Sequence, residues 1–405
     1  MHQGVLRRLQ IGIATLLPAV ACSSEMTEAP ARLKIPLAPN FDTPTDAAAL
    51  PSMWAREVSG QDESGAYYDM LLPVSWNGRL VIVVHGLIDP ALPVAPIART
   101  PAEDSAGAHG YAIAFSSYSE NGWAVKDGAQ RTHELSDLFT QAFGKPRHTY
   151  LYSQSMGGLI ALKLAESFPT QYNGVVAECG IIGGSFARFH YMLDTRLLFD
   201  YFYPNVLPGN ALGVPSPLDL MNQVRLPARA AMLANMDGAR KIAQFAQTPV
   251  PFANDAELEA SIEDQLFRHA REINDIMARG HGEPPVDRVD YTSATLDPAL
   301  VADVNATVPR FSAGTYATHY ADQYYEPNGD LRIPVLTLYT QRDPALPASM
   351  SDFVYQSRVT DAGHADMYRR QAASVAYGHC TGKVGDRLSA LRALVSWAEN
   401  APAPW

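Results

Sequence analysis

Three cysteines in 405 residues leave room for one disulfide at most. Charge is sparse as well. Asp, Glu, Lys and Arg supply 18% of the chain against 47% apolar residues, a balance that excludes general disorder and allows a sizeable buried core. Basic residues are the scarcer sign, 31 against 42 acidic, so no cationic surplus exists to neutralise the phosphates of nucleic acid. No histidine set has paired ligand spacing: His109, His133, His148, His190, His269, His281 and His319 stand apart, and no metal site is expected. A glycine-rich phosphate loop is also missing, so no cofactor is expected.

At the N-terminus, Arg7 and Arg8 precede Ile11 to Ala21, an apolar stretch too short to span a bilayer, and Cys22 follows. This pattern predicts an export signal over residues 1–22. Ala19-Val20-Ala21-Cys22 fits a lipobox, with Cys22 lipidated as the first mature residue, and it also fits an ordinary signal-peptidase site. The expected location is outside the cytoplasm: a cell-envelope lipoprotein touching the membrane only through its N-terminal anchor, or a secreted protein. Without Arg7 and Arg8, 29 basic residues face 42 acidic ones, a net charge near −13. Residues 23–50, rich in Pro, Ala, Thr and Asp, read as a linker.

Beyond residue 50 the apolar pattern alternates between strand-like and helix-like runs. Trp54 to Ser59 and Ala66 to Pro73 flank a turn and predict a hairpin. Leu80 to Val84 is a continuous β-branched run, as in a strand covered on both faces. Tyr111 to Ser116, Thr149 to Tyr152, Gly174 to Ala177, Val335 to Tyr339 and Ala373 to Tyr377 predict further strands. Helices are expected around Leu135 to Phe143, over 156–168, and around Leu388 to Ala398. Such alternation implies an α/β protein with a mostly parallel sheet flanked by helices. Between Gly184 and about Gly329 the alternation breaks into a helical, aromatic stretch. Its clearest helix has Asn254 as N-cap, Glu257 at the capping-box position and Gly280 past its end. The expected organisation is a core of residues 51–184 and 329–405, with 185–328 inserted as a cap.

The segment richest in chemical information is Tyr150-Leu151-Tyr152-Ser153-Gln154-Ser155-Met156-Gly157-Gly158, where a strand ends in a serine and a helix begins at once. A strained turn of this kind lifts one hydroxyl clear of a sheet edge and demands small residues two before and two after it, here Ser153 and Gly157. A serine hydroxyl is a poor nucleophile until an imidazole takes its proton and a carboxylate orients that imidazole. Asp343 follows the strand Val335 to Tyr339 and is the first candidate acid, with Glu178 as the alternative. His379 follows the last predicted strand and is the candidate base; His364 precedes that strand and should fall elsewhere. Backbone N–H groups of Leu87 and Met156 are the candidate oxyanion donors, while His85 reads as a structural residue of its loop. Cys179 and Cys380 fall at the same predicted sheet edge, as a disulfide or as two buried thiols.

On these residues the chain resembles the α/β-hydrolase-fold serine hydrolases over about residues 50–184 and 329–405. Trp76-Asn77-Gly78, Ser116 to Lys126, Cys179-Gly180 and Gly378-His379-Cys380 are similar to a group of exported bacterial esterase-like hydrolases. The resemblance implies the α/β-hydrolase fold, with a large helical cap inserted before the acid-bearing strand, and hydrolysis of a small-molecule or polymeric ester. A peptidase or acyltransferase would use the same residues. Phe186, Phe189, Tyr191, Phe199, Tyr201, Phe202 and Tyr203 at the entry to the inserted segment, with Tyr316, Tyr320, Tyr324 and Tyr325 at its exit, would suit a bulky or aromatic group if they line the cleft; otherwise they are packing.

Overall fold

The first two apolar runs pair as an antiparallel hairpin, β1 (Trp54–Gln61) and β2 (Tyr67–Pro73), in a computed structural model that describes residues 53–400. The export signal, Cys22 and the linker lie outside the described residues. β3 (Arg79–Val84) follows, then α1 (Pro101–Ala108), β4 (Ala112–Ser116), α2 (Val125–Phe143), β5 (His148–Gln154), α3 (Met156–Ser167) and β6 (Gly174–Glu178). The stretch before the next strand is helical: α4 (Ser185–Phe202), α5 (Leu226–Ala234), α6 (Met236–Ile242), α7 (Asp255–Arg279), α8 (Pro298–Thr307) and α9 (Thr315–Tyr325). The chain then returns to the sheet with β7 (Val335–Tyr339), α10 (Asp352–Asp361), β8 (Tyr368–Ala372) and α11 (Val384–Asn400).

The eight strands lie in the order β1-β2-β4-β3-β5-β6-β7-β8. β2 runs antiparallel to β1 and β4, and the strands from β4 to β8 are parallel. This is the α/β-hydrolase fold. Its parallel core explains the unbroken apolar run of β3, where Leu80, Val81, Ile82 and Val84 are almost wholly buried because helices cover both faces. Burial of that kind contributes about 1.5–3 kcal/mol per large aliphatic side chain. All parallel strands point their carboxyl ends to one edge, so loops distant in sequence meet there.

The last strand departs from expectation. The apolar reading placed it at Ala373 to Tyr377, whereas β8 pairs five residues earlier, Val335 opposite Tyr368 and Tyr339 opposite Ala372. β8 is an edge strand, where polar residues are tolerated. Its two arginines cover apolar surface with their flat guanidinium groups, Arg369 over Trp397 and Arg370 over Tyr339 and Phe353. The residues of the expected strand instead form an irregular segment, tied to the loop after β7 by Arg342 N–H donating to the Ala376 carbonyl (2.8 Å).

α7 is the longest helix of the inserted stretch, and it starts and stops as its sequence demands: Asn254 Oδ1 accepts from Glu257 N–H (3.0 Å), and Gly280 follows its end. The capping box is modified. The Glu257 carboxylate accepts from Ala253 N–H (2.8 Å) instead of the N-cap N–H, and it also holds Arg342 through two hydrogen bonds of 2.8 and 3.0 Å. The first turn of α7 therefore grips the loop after β7. The described residues form one compact unit, with sheet and inserted helices together.

Candidate active site

The turn after β5 places Ser155 in a backbone conformation that an L-residue rarely adopts, φ 53° and ψ −122°. Glycine at 157 is obligatory there, because a Cβ on it would sit 2.1 Å from the carbonyl oxygen of Val84 and 2.7 Å from that of His85. Two residues before the nucleophile, Ser153 stands where a glycine is usual. Its side chain is wholly buried, and Oγ donates to the Val176 carbonyl of β6 (3.0 Å), so the hydroxyl is satisfied in a small space. Ser155 itself is held from both sides: its N–H donates to Glu178 O (3.2 Å), and its carbonyl accepts from Gly158 (2.9 Å) and Ile181 (3.0 Å).

Three of the expected residues converge. His379 Nε2 lies 3.0 Å from Ser155 Oγ, and His379 Nδ1 lies 2.9 and 3.1 Å from the two carboxylate oxygens of Asp343. With the ring proton on Nδ1 donated to Asp343, Nε2 is left to accept from the serine hydroxyl. Asp343 is 1% exposed, and its Oδ1 also accepts from the N–H groups of Ala345 (2.9 Å) and Leu346 (3.1 Å), so the carboxylate is fixed as an acceptor. The loop bearing it is braced by the inserted helices: Gln265 Nε2 and Tyr191 Oη both donate to the Pro344 carbonyl, at 2.6 and 3.3 Å.

The His379 loop has its own anchors. Cys179 and Cys380 form a disulfide with Cα atoms 5.1 Å apart, joining the end of β6 to the residue after His379. Glu178, the alternative acid, does not reach His379. It is 1% exposed and accepts from Tyr152 Oη (2.9 Å), Gln154 Nε2 (2.9 Å) and Gly382 N–H (3.0 Å), with Arg387 Nε 3.0 Å away. It pins the loop from its far side. His364, the alternative base, lies at the ion-pair distance of 3.0 Å from Asp330, away from the serine. Cys179, His379 and Cys380 cluster closely, but their sulfurs are bonded to each other and both ring nitrogens are hydrogen-bonded, so no ligand atom is left for a metal.

Met156 opens α3, whose first-turn N–H groups have no intrahelical acceptor, and Leu87 lines the cavity over Ser155. His85 supports this loop. Its ring stacks on Tyr118 with centroids 3.8 Å apart, Nδ1 lies 2.7 Å from Gly86 O, and burial pushes its pKa down to about 4, so it stays neutral.

Above the serine lies a cavity of about 300 Å³. Among the described residues, none of the aromatic side chains at the ends of the inserted stretch lines it, so of the two roles left open for them packing is the one seen. Phe189, Tyr191, Phe199 and Tyr203 are buried in packing, and Phe189 and Tyr325 reach the cavity only indirectly, by bracing Trp123. Phe189 meets the Trp123 ring edge-on at 4.7 Å, and Tyr325 Oη donates to the Trp123 carbonyl (2.7 Å). The wall consists instead of Trp123 and Leu346 with Arg188 from α4 and Arg268, Arg271 and Glu272 from α7. The sequence reading missed these residues. Its only available signal was the spacing of Arg268 and Arg271, three apart on one helix face, a pattern that usually marks a solvated stripe.

No family model matches the chain. An o-phthalyl amidase from Xanthobacter agilis is 24% identical over 413 residues, covering 86% of this chain and 88% of that protein. Among solved structures, feruloyl esterase B from Aspergillus oryzae is similar with a TM-score of 0.44 and 16% identity, covering 86% of this chain and 81% of its own. The acylaminoacyl peptidase of Pyrococcus horikoshii gives 0.43 and 10%, covering 88% of this chain, which spans only 43% of the peptidase.

Proposed function

We propose that this serine hydrolase cleaves carboxylic esters through an acyl-enzyme, with Ser155 as nucleophile, His379 as general base and acid, and Asp343 as its orienting partner. The observation that carries the reading is the hydrogen-bonded line Asp343, His379, Ser155, built on three separate strand ends. His379 Nε2 takes the hydroxyl proton as Ser155 Oγ bonds to the substrate carbonyl carbon. The resulting imidazolium is stabilised by Asp343 and gives its proton to the leaving alcohol as the ester bond breaks. Water then repeats the sequence on the acyl-enzyme and frees Ser155. The N–H groups of Leu87 and Met156 receive the carbonyl oxygen as it gains charge, each such donor contributing about 100- to 1,000-fold in rate.

Amide cleavage is the second reading, and the similarity to a protein named as an amidase favours it. Matched 4-nitrophenyl esters and 4-nitroanilides separate the two. We also propose export, with residues 1–22 as the signal and Cys22 as the lipidation point; a disulfide beside the site suits an oxidising compartment. The direct test of the catalytic assignment is a fluorophosphonate probe applied to wild type and Ser155→Ala. Labelling of the wild type alone is expected, and equal labelling of both proteins rejects the assignment.

A further inference from the structure

Three of the residues lining the cavity each carry a buried side-chain donor that lacks a hydrogen-bond partner among the described residues: Trp123 Nε1, Arg188 Nη2 and Arg271 Nε. Buried donors of this kind are costly unless an acceptor reaches them. Trp123 and Arg188 are 1% and 3% exposed, so bulk water does not serve them.

Charge points the same way. Three guanidinium groups, from Arg188, Arg268 and Arg271, line the wall against one carboxylate, Glu272. Arg271 Nη2 donates to Glu272 Oε1 (2.6 Å), while Arg188 Nη2 stands 3.6 Å from Glu272 Oε2, within ion-pair reach but beyond a hydrogen bond. Arg188 Nη1 is spent on the amide oxygen of Gln265 (2.9 Å). Arg268 is matched by Asp264 (2.7 Å). The remaining nearby acid, Asp343, is turned onto His379 and two backbone N–H groups. One carboxylate is thus shared by two arginines on the wall. Burial works against the charge of Arg188, so a further anion beside it is stabilising.

Resting on the function proposed above, we infer that the substrate carries a carboxylate in addition to its scissile bond, received by Arg188, Arg271 and the indole N–H of Trp123. Guanidinium groups are planar, forked donors that match the two oxygens of a carboxylate. Neutral esters lack the acceptor and leave the donors unserved.

Binding and turnover test this separately. Calorimetry with Ser155→Ala protein compares isophthalate and terephthalate with their uncharged diamides. Binding of at least one diacid about tenfold or more tighter than its diamide is expected, and equal binding for both pairs overturns the inference whatever the enzyme hydrolyses. Kinetics then compares mono-4-nitrophenyl isophthalate and terephthalate with their methyl-capped diesters, and 4-acetoxybenzoate with its methyl ester, so that the charge lies on either side of the scissile bond. A kcat/KM ratio favouring the acid by roughly 10- to 100-fold in one series is expected. That ratio should fall towards one in Arg271→Met and be partly kept in Arg271→Lys. Arg188→Met, checked for folding by circular dichroism, should act likewise. A ratio that survives both methionine variants, or a preference for neutral esters throughout, overturns the carboxylate site but leaves the hydrolase reading intact. Absent turnover together with absent fluorophosphonate labelling sinks the hydrolase reading, while the calorimetry still decides the site.

Discussion

Breaking the Cys179–Cys380 bond should weaken the fold and the site together, by amounts that can be worked out beforehand. The bridge joins residues 201 apart. In the chain-entropy model a loop of that length restrains the unfolded chain by about 5 kcal/mol at 25 °C, a large share of a usual total of about 5–15 kcal/mol. For a chain of this size the thermal midpoint should drop by roughly 7 °C. Activity should fall too, because the bridge holds the residue adjoining His379. The loop would keep other anchors, among them Gly378 N–H on Arg342 O (3.1 Å), Thr381 Oγ1 with Thr340 Oγ1 (2.8 Å) and Gly382 N–H on Glu178 (3.0 Å). The loss should therefore be partial, up to about 100-fold if the imidazole shifts by an ångström. The assay is thermal unfolding and fluorophosphonate labelling rate for wild type, wild type with dithiothreitol, and Cys179→Ala/Cys380→Ala. Reductant should move the wild type to the values of the double variant and leave the double variant unchanged. A double variant that melts within about 2 °C of wild type and labels at the same rate would refute both the entropic and the positional argument.

Other consequences are as open to measurement. Gly157→Ala should yield protein that is insoluble or unlabelled by fluorophosphonate, because the new Cβ meets two backbone carbonyls that cannot swing aside; soluble, labelled protein would show that the elbow relaxes. Glu178→Gln removes a buried charge facing half-buried Arg387, which water can still reach, and should cost about 1.5–3 kcal/mol in urea unfolding, with a lower kcat as the His379 loop loosens. Asp194 is buried with one oxygen on Tyr291 Oη (3.1 Å), and burial raises its pKa from 3.8 to about 7. Between those values the folded state keeps a proton that the unfolded state has lost, so stability falls as pH rises, by up to about 1.4 kcal/mol per unit. Asp194→Asn should match wild type near pH 4 and exceed it at pH 8, and a constant difference between the two would contradict the assignment.

Much of this was legible because it is local. The run from Tyr150 to Gly158 contains strand, turn and helix in nine residues, and the backbone at Ser155 adopts the strained form that such a junction requires. The existence of the inner strands followed from apolar runs long enough to be covered on both faces, as in β3 and β7, whereas their order in the sheet did not. What could not be read was set by packing between distant segments. β8 is polar by composition and becomes a strand because Trp397, Tyr339 and Phe353 offer surfaces to its arginines. α1, rich in small residues, has no apolar stripe to betray it. Aromatic residues at the ends of the inserted stretch left cleft lining and packing both open, and the contacts formed are packing, with Phe189 and Tyr325 against Trp123 and Phe199 against Tyr203. A composition count cannot tell a lining residue from one that braces it.

One helix, α7, touches each functional part. Glu257 in its first turn holds Arg342 beside the acid, Gln265 grips the Pro344 carbonyl, Arg268 and Arg271 face the cavity, and Asp275 near its end accepts from Trp123 N–H (2.7 Å). It works as a common ruler for reactivity and selection. A redesign that slides or rotates this rod to admit a different guest would also detune the proton relay, whereas changes confined to Arg271, which does not touch the acid-bearing loop, alter taste and spare the chemistry.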